Sequence, residues 1–198
     1  GMVLDPLRER VLVTDSSLDA VVAVDINNGN RQVISGAGVG AGPQLQSPAG
    51  LTLRGDDILL VDALLNAVVE VDTSDGGART ILSGPGIGSG VGFGRPTAIV
   101  LANPADLTRA HVISPLGDRL FDVDLNTGDR IAYENPSTTG ANRFGDVAQV
   151  ALVDGNILVV DFGGISVSRV NPLDGTRSTF SSAFDGNGPD FQALAGIV

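Results

Sequence analysis

Three aspartates, Asp15, Asp62 and Asp161, each close a short apolar run (VLVTD, ILLVD and ILVVD), and Ser114 holds the corresponding place after HVI. Carboxylates repeated around an axis could ligate Ca²⁺ or another hard cation, which takes clustered oxygen ligands. The same oxygens at the end of a strand could instead accept hydrogen bonds from the backbone N–H groups of the turn that follows. His111 is the single histidine and could serve as a general base beside a serine and an aspartate. It occupies the strand position held elsewhere by Leu12, Leu59 and Leu158, which points instead to a partly buried structural residue. Asp122, Asp124 and Asn126 resemble the start of a calcium loop, but the glycine comes at Gly128, one place late, and a hairpin turn accounts for them better. The alternating glycines of 36–42 and 84–94 superficially echo a phosphate-binding loop. Such a loop needs a helix amino terminus behind it, whereas Pro48 or Pro96 and a strand follow here. A flexible crossing between strands is the simpler expectation.

Composition removes other chemistries. The 198 residues carry 23 acidic and 12 basic side chains, for a net charge of −11. All twelve basic residues are arginine, so a Walker-type phosphate loop and a lysine Schiff base are excluded. With no cysteine there is no disulfide, thiolate nucleophile or cysteine zinc site. Strong negative charge argues against nucleic acid or an anionic membrane surface as partner. Apolar residues make up 42%, enough for one folded domain spanning 1–198. Residues 1–10 lack the basic start and continuous apolar stretch of a signal peptide, and every apolar run is too short to span a bilayer. The compartment is left open, with an extracytoplasmic setting suggested by abundant aspartate and absent lysine.

The elements that must position these residues are repeated. Segments 11–36, 58–84, 110–135 and 157–182 align, with Asp15, Asp62, Ser114 and Asp161 at spacings of 47, 52 and 47. That period lies in the propeller range. Short β-branched runs such as VLVTD predict one strand, and AVVAVD, AVVEVD, RLFDVD and SVSRVN a second, with alternating apolar positions led by Val22/Val24, Val69/Val71 and Phe121/Val123. An Asx-x-x-x-Gly turn follows in each copy: 25–29, 72–76, 124–128 and 171–175. The next strand opens with Arg31, Arg79, Arg130 or Arg177, each placed to pair across the hairpin with the turn acid. A Gly/Pro/Ser-rich connection then leads to an inner strand, as in AGLTL, TAIVLA and VAQVAL. The predicted fold is an all-β propeller of four-stranded antiparallel blades, with repeats over about 3–36, 47–84, 95–135 and 146–182 and a final inner strand over 191–198.

This pattern resembles NHL repeats, in which an apolar run, Asp, a few residues, Asn or Asp, and a second apolar run precede an Asp-x-x-x-Gly turn. Asp15/Asp19, Asp62/Asn66 and Ser114/Asp118 occupy those places, while Ile165 departs from them in the fourth copy. The resemblance implies a platform used by protein-binding, RNA-binding, lyase and lactonase relatives, most of them six-bladed. Lactonase-type relatives hold a channel metal with Glu and Asn/Asp, whereas Glu9, Glu70 and Glu134 lie off the inner strands here. A non-enzymatic module binding a protein, peptide or polysaccharide is therefore expected, with no resident cofactor unless Ca²⁺ is held by Asp15, Asp62 and Asp161. A metal-dependent lactonase-like hydrolase or lyase is the alternative, and a structural segment of a larger extracellular protein the third reading. Four copies could form a tight ring, a homodimer completing its blades with a second copy, or part of a longer propeller.

Overall fold

The computed structural model describes residues 1–135, 142–182 and 184–192. Its regular structure is sixteen strands and one 3-10 turn over Pro6–Arg8, gathered into four separate four-stranded antiparallel sheets. Blade 1 contains β1 (Met2–Asp5), β2 (Arg10–Asp15), β3 (Ala20–Asp25) and β4 (Arg31–Ser35). Blade 2 contains β5 (Pro48–Arg54), β6 (Asp57–Asp62), β7 (Ala67–Asp72) and β8 (Ala78–Ser83). Blade 3 is β9 (Ala98–Asn103), β10 (Asp106–Ser114), β11 (Arg119–Asp124) and β12 (Arg130–Glu134); blade 4 is β13 (Val147–Val153), β14 (Asn156–Asp161), β15 (Ser166–Val170) and β16 (Arg177–Ser181). Each sheet is a meander with its strands in chain order, from an inner first strand to an outer fourth. The inner strands predicted from AGLTL, TAIVLA and VAQVAL are β5, β9 and β13. The one expected over 191–198 lies, apart from Phe191 and Gln192, outside the described residues.

Alternation explains both the strands and their stacking, because each sheet sends apolar residues to both faces. One cluster unites Leu12 and Val21 of blade 1 with Leu60 and Val69 of blade 2; another unites Leu59 and Val68 with Val112 and Phe121 of blade 3. The third joins Ile113 and Leu120 to Ile157 and Val159 of blade 4. Each crossing ends in a large apolar residue driven into the core it bridges: Leu45, Phe93 and Phe144. Phe93 lies edge-on to Phe121, with ring centroids 5.0 Å apart. The inner strands also touch directly, as where Gly50 N–H donates to Thr97 O at 2.9 Å.

Val22 and Val24 of β3 are only half-buried, whereas their counterparts Val69 and Val71 are fully buried. The cause is position. These residues face away from blade 2, and no described blade covers that side of blade 1.

Candidate functional site

The turns joining the second and third strands of each blade emerge at one end of the molecule. Each is organised by the residue that closes the second strand. Asp62 is fully buried and accepts backbone N–H bonds from Leu64 (3.1 Å) and Leu65 (2.9 Å) of its own turn. It also accepts from Gln46 (2.8 Å) and Ser47 (3.1 Å) at the end of the preceding crossing. Asp161 does likewise with Gly164 at 3.1 Å, Gly145 at 2.8 Å and Asp146 at 2.9 Å. Asp15 accepts, among the described residues, only from Ser17 and Leu18 of its own turn. In blade 3, Ser114 Oγ donates to Gly94 O at 2.5 Å. The three aspartates singled out by the sequence thus lie in three different turns, each bonded to backbone N–H groups. Among the described residues no group of three or more His, Asp or Glu side chains is placed to hold a metal ion.

His111 sits on β10, 7% exposed, with Nδ1 3.9 Å from Asp122 Oδ1 and without a hydrogen-bond partner among the described residues. Asp122 is instead engaged by the Arg109 guanidinium. Burial lowers the imidazole pKa from its usual value, the nearby Asp122 carboxylate opposing that shift only in part. A lowered folded-state pKa means that the unfolded chain takes up the proton first. Stability is therefore unaffected well above the ordinary histidine pKa of about 6.5 and falls as pH drops below it. His111→Leu, which installs the residue of the other three blades, is expected to raise the thermal midpoint at pH 5 while changing it little at pH 8. Melting curves at the two pH values would show this; an equal change at both would refute it.

The repeated arginines do not pair with their turn acids as the sequence suggested. The turn carboxylates are already engaged by their own turns, as where Asp72 accepts from Ser74 and Asp75 N–H. Arg79, 3% exposed, reaches into the preceding blade's crossing, donating to Pro43 O at 2.6 Å and to Ser35 Oγ and Val39 O at 2.7 Å. Arg130 does the same with Val91 O and Ser83 Oγ, both at 2.9 Å, and Ile87 O at 3.0 Å. Arg177 reaches back to the Asp118 carboxylate and its carbonyl in the turn of blade 3. The glycine crossings, expected to be flexible, are packed against the next blade. A Cβ on Gly40 or Gly88 would lie 2.0 or 1.9 Å from the carbonyl oxygen of Gly77 or Gly128. In blade 2 it is Gly77, one residue beyond the expected Gly76, that donates to Asp72 O and closes the turn.

Large apolar side chains stand exposed at this end among serines and glycines. Leu18 (59%), Leu64 (55%), Leu116 (64%) and Phe162 (50%) each project from the turn of a different blade. Turn tips are ordinarily polar, so a large apolar residue in this turn of every copy is the signal in the sequence that marks the rim. The inner strands of all four blades meet at a narrow cavity of about 20 Å³ bounded by small and apolar residues, among them Met2, Gly50, Ala98 and Ala148, with Gln149 the polar side chain.

These features match solved propellers. The chain is a four-bladed β-propeller. It is similar to a chain of a nidogen/laminin complex (TM-score 0.68, 18% identity, 99% of this chain and 66% of that one). It is also similar to virginiamycin B lyase from Staphylococcus aureus (0.63, 13%, 92% and 55%) and to a streptogramin B lyase (0.61, 15%, 90% and 53%). The propeller thus spans about half to two thirds of the chains it resembles. No family model and no curated protein sequence matches it.

Proposed function

We propose that this propeller is a non-enzymatic interaction module of NHL-like repeats that binds a protein or peptide through the rim of turns bearing Leu18, Leu64, Leu116 and Phe162. The rim itself carries this reading: at least one exposed large apolar side chain in the turn of every blade, with Ile165 beside Phe162 in blade 4, at one end of a rigid scaffold. Exposed apolar groups set among polar ones are what partner surfaces present, and loops on a rigid frame are where binding residues concentrate. The likeness to a chain of a nidogen/laminin complex is compatible with a protein partner.

The test is to replace the four side chains together with serine and pan a random-peptide display library against both proteins. Surface substitutions of this kind change stability little, about 0.5 kcal/mol or less each. The variant should therefore stay folded, its melting midpoint within about 8 °C of the wild type, and lose affinity for selected peptides by about tenfold or more, or about 1.4 kcal/mol. Peptides that bind both proteins equally would remove the rim from consideration. Ca²⁺ and EDTA are each expected to leave the wild-type midpoint unchanged. A midpoint rising with Ca²⁺ concentration would instead place a resident ion in the folded state.

A further inference from the structure

The device that joins blades 1 to 2 and 2 to 3 is present, in two unmated halves, at the two ends of the described arc. The mated form has three parts. A serine ending the fourth strand and a sharp Gly/Pro turn make a socket of carbonyl oxygens, as in Ser35 with Gly36 N–H donating to Val39 O at 3.0 Å, and Ser83 with Gly84 N–H donating to Ile87 O at 3.2 Å. Two glycines at positive φ, Gly40 and Gly42 or Gly88 and Gly90, let the next blade approach closely. The next blade then inserts a Gly-x-Arg hairpin, Gly77–Arg79 or Gly128–Arg130, on which Ser35 Oγ and Ser83 Oγ donate to the glycine carbonyl at 2.7 Å.

Blade 4 carries the socket. Ser181 ends β16, Ser182 N–H donates to Asp185 O at 3.0 Å, and Gly186 and Gly188 hold φ of +102° and +133°. A Cβ on Gly42 or Gly90 would lie 2.1 or 2.2 Å from the Arg79 or Arg130 carbonyl, whereas on Gly188 it would meet nothing within 4 Å among the described residues. Together with Pro189 and Phe191, these residues bound an open cavity of about 260 Å³. Beside it Phe180 is 47% exposed, at the position where blade 1 packs Ile34 against its neighbour.

Blade 1 carries the plug. Gly29-Asn30-Arg31 repeats the Gly-x-Arg spacing, Arg31 is exposed without a hydrogen bond or ion pair among the described residues, and a Cβ on Gly29 would meet nothing within 4 Å. Around it, Val11, Val13, Val22, Val24 and Val33 are half-buried or exposed, whereas Ile58, Leu60, Val69, Val71 and Ile81 at the same positions of blade 2 form or flank the core against blade 1.

We propose that blade 1 of a second copy of this chain docks on the outward face of blade 4, with Arg31 entering the socket of Ser181, Asp185 and Pro189, and Gly29 closing on Gly186. The two surfaces differ from each other and complement each other, so the contact is head-to-tail. The plug already has the mated shape, Gly29 at φ +73° beside Gly77 at +82° and Gly128 at +78°, and the socket shares the paired positive-φ glycines though not the glycine of the preceding turn (Gly38, Gly86), so part of the ordering cost of association is met in advance.

Light scattering on a size-exclusion column, over a concentration series, tests this. The wild type should exceed the monomer mass increasingly with concentration. Arg31→Glu, which lacks the plug, and Gly186→Ala, which blocks the socket, should each run as folded monomers by circular dichroism and mass. Their equimolar mixture retains one intact plug and one intact socket and should form a one-to-one pair. A wild type monomeric at every concentration would overturn the proposal, and so would assembly indifferent to both substitutions. A monomer whose melting point falls with Arg31→Glu would overturn it as well, by placing Arg31 in its own chain's socket.

Discussion

Replacing Arg79 or Arg130 with alanine is expected to destabilise the protein by about 3 kcal/mol, the cost of removing a guanidinium that donates to one buried serine oxygen and to several part-buried carbonyls at once. Arg79 satisfies Pro43 O, Val39 O, Gly40 O and Ser35 Oγ at once, and Arg130 serves Val91 O, Ile87 O, Gly90 O and Ser83 Oγ. Burial lowers the pKa of both guanidiniums from the ordinary value, and the ring of carbonyl oxygens is what makes a cation tolerable there. For a chain of this size, the loss corresponds to a thermal midpoint lower by roughly 6–12 °C. Arg79→Lys should recover little of it, because one ammonium cannot span acceptors that a planar fork with five N–H groups reaches together. Arg31→Ala, at the same position of blade 1, is the internal control and should cost almost nothing at a concentration where the chain is monomeric. Urea unfolding of the four variants decides the matter. Equal losses for Arg79→Ala and Arg31→Ala would show that the guanidinium contributes nothing between blades.

The arginines also show where reading the sequence stopped. The period, the strands and the turns were legible because they depend on local alternation and turn chemistry, which repeat in every copy. The direction of Arg79 was not. A turn acid stood a few residues away as an evident partner, yet Asp72 is engaged by its own turn and the Arg79 side chain lies on the face packed against blade 1. Nothing local distinguishes these alternatives, since the acceptors lie 36 to 44 residues earlier in the chain. The same limitation hid the reason for the glycines: Gly40 and Gly88 are required by a carbonyl of the following blade, a contact that no window of one repeat contains. The exposed rim was missed differently. Leu18, Leu64, Leu116 and Phe162 each follow within three residues of Asp15, Asp62, Ser114 or Asp161, the residue that organises the turn, and stand at tips where packing offers no reason for an apolar side chain.

Asp62→Ala should be about as costly as the loss of Arg79, and comparison with Asp15→Ala separates a structural carboxylate from a metal ligand. Asp62 is fully buried and accepts four backbone N–H bonds that fasten the preceding crossing to the turn of blade 2. Truncation leaves those donors unpaired, at a cost of about 3 kcal/mol or more. Asp161→Ala should follow closely, since three N–H groups depend on that carboxylate. Asp15→Ala removes two bonds at a half-exposed turn where water can take their place, and should cost about 1 kcal/mol. The expected order is therefore set by the number of buried N–H groups each acid serves. Asn is no rescue at Asp62: both carboxylate oxygens accept, and an amide would turn its NH₂ toward backbone donors. Metal ligation predicts another pattern, in which the three alanine variants lose a calcium-dependent rise in melting point alike and keep similar stabilities when EDTA is present. Unfolding midpoints measured with Ca²⁺ and with EDTA distinguish the two, because hydrogen bonding makes the variants unequal and leaves them indifferent to the ion.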